Sequence, residues 1–125
     1  MFGLFKKKDK HDEAINLIRT YFRSPFFNPS RVEWLRIITI NRPELTKEDL
    51  AIHYLTVCIT EDCFDGEYNV LAAEKESVKG YVVNVGMAIA GMKRANVDLN
   101  NGILSSFREL AHHAGVGEQI FDMGI

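Results

Sequence analysis

Gly80-Tyr81-Val82-Val83-Asn84-Val85-Gly86-Met87-Ala88-Ile89-Ala90-Gly91-Met92 is an uncharged run between Lys79 and Lys93, and its secondary structure decides the fold class. Wound as a helix, with Val78 just before it, it puts Val78, Val82, Val85 and Ile89 on one side, Tyr81, Ala88 and Met92 on a second, and Gly80, Asn84, Met87 and Gly91 in a third row. Drawn out as a strand, Tyr81 to Val85 offers the β-branched and aromatic residues that sheets favour. A hairpin near residues 78–90 would then make the chain α+β. Glycine inside a helix costs about 1 kcal/mol relative to alanine, so Gly80, Gly86 and Gly91 call for close helix packing. Helix formers from Ala88 to Ala95, and Lys93 and Arg94 at the C-terminal end of the dipole, favour the helix. Such a helix is roughly 20 Å long against a bilayer core of about 30 Å, so it reads as a buried core helix.

The segments on either side carry helix signals of their own. Asp12 to Arg23 sets Ala14, Ile15, Leu17, Ile18, Tyr21 and Phe22 on one face, and Pro25 ends the helix at Ser24. A second helix begins at Asn28 with Pro29 or at Ser30 with Glu33, takes in Val32, Trp34, Leu35, Ile37 and Ile38, and stops near Asn41. For a third, Thr46 caps with Asp49 three residues on, and Leu45 and Leu50 occupy the staple positions. That helix runs to about Phe64 with one polar stripe, Asp49, His53, Thr56, Thr60 and Cys63, and is apolar enough to be central. After the long run, Asn100 or Asn101 caps a last main helix whose buried face is Ile103, Phe107, Leu110 and Ala114. Gly115 closes it, and a final turn docks Ile120, Phe121 and Met123. The expectation is an all-α, single-domain bundle of about five helices over residues 11–125, behind a flexible basic head of residues 1–10. A chain of 125 residues, 46% of them hydrophobic, can bury such a core.

The net charge of −2 is unevenly spread. Residues 1–43 carry +5 and residues 44–76 carry −7, so the two parts attract each other or leave an acidic surface for a basic partner. The acidic centre is Glu61-Asp62-Cys63-Phe64-Asp65-Gly66-Glu67. With Gly66 at position six of a calcium loop, Cys63 falls at position three and Ala72 at twelve, where the ion needs hard oxygens. The segment reads instead as a helix end followed by an Asp-Gly turn. Acids at a helix C-terminus oppose the dipole, and a basic partner or arginines of the first two helices would offset them.

Searches for chemistry give no catalytic, cofactor or metal residues. There is no CxxC, HExxH or ExxH spacing. Asp49 and His53, one turn apart, read as a surface ion pair, and the adjacent His112 and His113 point about 100° apart. Ser105 and Ser106 lie in no GxSxG, and the glycines match no phosphate loop. Cys58 reads as a core residue, and the two cysteines, five apart, fall on different helix faces as reduced thiols. A pI near 6.1 with scattered bases disfavours nucleic acid, and no secretory signal is evident, so the expected compartment is the cytoplasm.

Two surfaces remain. The head Met1-Phe2-Gly3-Leu4-Phe5-Lys6-Lys7-Lys8 reads as a frayed terminus or, alternatively, as a peripheral membrane anchor. In Pro25-Phe26-Phe27-Asn28-Pro29, stiff prolines hold two adjacent phenylalanines, one of which can anchor a partner. The chain is therefore expected to be a non-enzymatic protein-binding module of adaptor, inhibitor or immunity type, using Glu61, Asp62, Asp65, Glu67, Phe26 and Phe27 against another protein with a basic surface. The alternative is a small-molecule binder or enzyme with a pocket near His53 and Asn84, lined also by Tyr54 and Tyr81.

Overall fold

The computed structural model describes residues 9–22 and 31–125, the side chains of residues 38 and 39 excepted. Six α-helices follow one another: α1 (Lys10–Tyr21), α2 (Val32–Asn41), α3 (Lys47–Cys63), α4 (Lys75–Arg94), α5 (Asn101–His113) and α6 (Gly117–Asp122), with a 3-10 turn at Ala72–Glu74 leading into α4. Among the described residues there is no strand, only an isolated antiparallel bridge between Phe64 and Val70. The fold is an all-α bundle.

Local chemistry sets the helix ends. Asp9 caps α1 by accepting from the His11 backbone N–H at 2.8 Å, so this helix starts before the expected Asp12. Thr46 accepts from the Asp49 N–H at 3.1 Å, with Leu45 and Leu50 buried on either side of the cap. Asn100, rather than Asn101, caps α5 and accepts from Gly102 and Ile103. Gly115, at φ 81°, closes that helix while Val116 N–H reaches back to the Ala111 carbonyl.

The run that opened the question is helical throughout α4, which overturns the hairpin. Val78, Val82, Val85 and Ile89 are all buried. Gly86 carries the expected close approach: a Cβ there would lie 2.5 Å from Ile120 Cδ1 of α6. Gly80 does not, since nothing lies within 4 Å of its Cβ position and the residue faces solvent. Helix α3 is central, touching α1, α4 and α5, and Leu50, Tyr54, Leu55 and Ile59 form its fully buried spine.

Several expected faces are redrawn. The six apolar residues of α1 span about 160° of its circumference, more than α3 covers, so Tyr21 is exposed while Ile15, Ile18 and Phe22 are buried. In α2, Leu35 is buried but Trp34 and Ile37 are 40% and 58% exposed. Phe121 does not dock; Ile120 and Ile125 fill the core beside it, and adjacent helical residues diverge by about 100°. The polar stripe of α3 is not a solvent face, because Asp49, Thr56 and Cys63 are buried. Asp49 forms no surface pair with His53. Its carboxylate instead accepts from the Thr46 hydroxyl at 3.0 Å and the Asn100 backbone N–H at 2.8 Å.

Candidate functional site

The acidic segment is built around the end of α3. Leu71 N–H donates to the Cys63 carbonyl at 2.8 Å and Phe64 bridges Val70, so residues 64–70 fold back as a tight loop and bring the start of α4 beside the end of α3. Residues 61–76 thus form one corner holding six acids against one base, Lys75.

The four predicted acids have different roles there. Asp65 is spent on its own loop: its carboxylate accepts from the backbone N–H groups of Glu67 at 2.8 Å and Asn69 at 3.0 Å, and from the Asn69 amide at 3.4 Å. The two backbone bonds, Asn69 first, hold its carboxyl below the usual aspartate range. Asp62 pairs with Arg31, the residue just before α2. That arginine supplies the positive charge that acids at a helix C-terminus require. Glu61 and Glu67 remain exposed. Phe26 and Phe27 lie outside the described residues, as does the head Met1–Lys8; Phe27 stands four positions before Arg31 in sequence.

Sequence reasoning missed Tyr68. Its φ of 62° is a left-handed conformation that side chains with a Cβ adopt rarely. The ring is 52% exposed and stacks on His113 at 5.3 Å between centroids and 20° between planes. Leu71, three residues on, is also exposed. An aromatic directly after Asp-Gly-Glu was the available signal, since an Asp-Gly turn thrusts the following side chains outward.

The pocket expected near His53 and Asn84 does not assemble. Tyr54 is buried, its hydroxyl 2.7 Å from His11 Nδ1. Asn84 is exposed and joins Tyr81 in a groove of about 740 Å³ between α1 and α4, lined also by Leu17, Tyr21, Met87 and Met92; His53 takes no part in it. Cys63, fully buried, has its thiol pushed up to about 11 by burial and then by the carboxylates of Glu74 and Asp62, so it is a protonated core group at neutral pH. Cys58 is equally buried. Among the described residues, no three His, Cys, Asp or Glu side chains converge on a metal position, and no described helix is long and apolar enough to cross a membrane.

No family model, curated protein or solved structure matches the chain.

Proposed function

We propose that the protein is a non-enzymatic binding module whose acidic corner receives a basic surface of another protein. The observation that carries the reading is Tyr68, an exposed aromatic fixed by its loop and by His113, with Leu71 beside it and Glu61 and Glu67 around it. Binding energy at protein interfaces concentrates in such rigid aromatic anchors, and surrounding charge steers the partner and speeds its arrival. Asp65 serves by shaping the loop and Asp62 by holding Arg31. The connector bearing Phe26 and Phe27 joins α2 at that arginine, so the second candidate surface enters the fold at the same end.

Native mass spectrometry of the chain purified gently from its own host tests this. The expected result is an added protein mass. With Tyr68→Ala the complex should weaken by about thirtyfold, the scale of an interface anchor. Glu61→Lys with Glu67→Lys should slow association and flatten its salt dependence. A protein adduct retained in full by the triple variant would remove the corner, and an added small mass would move the function to the groove between α1 and α4.

A further inference from the structure

Helix α2, Val-Glu-Trp-Leu-Arg-Ile-Ile-Thr-Ile-Asn, is apolar on more than the face it buries. Leu35 fills the core. Trp34, Ile37 and Ile40 recur every three residues on another side and are 40%, 58% and 72% exposed. A solvated helix face is ordinarily polar, so a stripe of this kind implies a covering phase.

What covers it is indicated by where the chain arrives. Arg36 of α2 donates to Asp9 at 2.7 Å and to Asp12 at 3.2 Å, and Lys10 Nζ donates to the Pro43 carbonyl at 2.8 Å in the loop after α2. The residue from which the head departs is therefore fastened to the helix that shows the stripe. That head contributes Phe2, Leu4 and Phe5 followed by Lys6, Lys7 and Lys8. Eight residues span at most about 28 Å, whereas ten helical residues measure about 15 Å, so the head can reach all of α2. The arginines beside the stripe are matched within the fold, Arg31 by Asp62, Arg36 by Asp9 and Asp12, and Arg42 by Glu44. Attraction for an anionic surface thus rests on the head lysines and Lys10. Trp34, with the Arg31 guanidinium 5.5 Å from its ring centre, has the amphipathic character of residues at a bilayer interface.

The geometry points to a peripheral membrane contact: the stripe Trp34, Ile37 and Ile40 and the head Met1–Lys8 together seat the protein on an anionic lipid surface. The apolar groups enter the headgroup boundary while the lysines meet the lipid charge. This surface is separate from the acidic corner, and neither reading depends on the other.

Trp34 is the only tryptophan, so its fluorescence reports the stripe directly. The full chain is mixed with vesicles of phosphatidylcholine alone or with one third phosphatidylserine. The expected result is sedimentation with the anionic vesicles only, weakened by salt, together with a blue shift of Trp34 and its quenching by brominated acyl chains. Lys6, Lys7 and Lys8→Gln should weaken partitioning by about a hundredfold, since each lysine near an anionic surface adds about a factor of five to ten. Ile37→Ser with Ile40→Ser, both solvent-facing and so compatible with folding, should weaken it about tenfold or more. Absence of sedimentation with anionic vesicles overturns the proposal. So does sedimentation with an unshifted Trp34 emission, which would leave the stripe outside the contact. A Trp34 shift that follows protein concentration without vesicles would put a second copy on the stripe and overturn it equally.

Discussion

Asp49 and Asn100, 51 positions apart in the chain, join two helix N-termini through one buried carboxylate. One oxygen of Asp49 accepts the Thr46 hydroxyl at the start of α3, and the other accepts the backbone N–H of Asn100, whose own side chain caps α5. Truncation by Asp49→Ala strands both donors in a place water does not reach. The expected loss is about 3 kcal/mol in urea unfolding, combining a cap with a buried charged hydrogen bond. Asp98→Ala, exposed and close by in sequence, should change stability by less than about 0.5 kcal/mol. Equal effects of the two substitutions would show that the junction does not hold α3 to α5.

Histidine sets a second expectation. Burial lowers the pKa of His11, and Arg36 lowers it further against the opposing carboxylates of Asp12, Asp9 and Glu33. Burial also lowers His53, with Arg42 adding to it. Both groups take up a proton more readily in the unfolded chain, whose reference value is 6.5. Their contribution is complete above that value and is lost as pH falls through the folded-state values. The urea midpoint should therefore drop between pH 7.5 and pH 5.5, and the drop should shrink in His11→Gln with His53→Gln. Asp9, Glu44 and Asp65, all held below their ordinary values, lose their contribution in a lower window that opens at the unfolded values of 3.8 and 4.5. A midpoint that rises on acidification to pH 5.5 would contradict the histidine assignment.

What the sequence made legible was local. Thr46 with Asp49, the Asn100 cap, Gly115 and the valine face of α4 each follow from residues within one or two turns of each other. What it hid was contact at a distance. The stripe through Asp49, Thr56 and Cys63 resembles a solvent face because its partners, such as Asn100, lie far along the chain. Trp34 and Ile37 resemble core because apolar character does not say which side of a helix finds a neighbour. For the candidate site, the acids were legible as a cluster, but the division between Asp65 and Asp62, engaged within the fold, and Glu61 and Glu67, exposed, needed the loop and Arg31. Tyr68 gains its place from a backbone angle that residue type alone does not announce.

Both cysteines are fully buried and Cys63 is held protonated. Alkylation proceeds through the thiolate, so access and ionisation are withheld together. At pH 8, native protein is expected to react with a maleimide or aromatic disulfide reagent at a rate set by unfolding, with two equivalents appearing promptly in denaturant. Fast labelling of Cys63 under native conditions would mean that the loop 64–70 opens readily above it.

Two glycines of α4 make a paired prediction with opposite signs. Gly80 faces solvent with open space at its Cβ position, so Gly80→Ala removes the entropy penalty of a helical glycine and should stabilise by about 0.5–1 kcal/mol. Gly86 gains the same propensity term but meets Ile120 Cδ1 at 2.5 Å, and Ile120 is itself buried between α4 and α6. Overpacking costs of about 1–3 kcal/mol exceed the propensity gain, so Gly86→Ala should destabilise. Shortening the obstructing side chain isolates the cause: Ile120→Val removes Cδ1, and Gly86→Ala should cost less in that background, giving a coupling of about 1 kcal/mol in a double-mutant cycle. Additive effects would mean that α6 shifts as a unit to admit the methyl, and the close approach of α4 and α6 would then not explain the glycine.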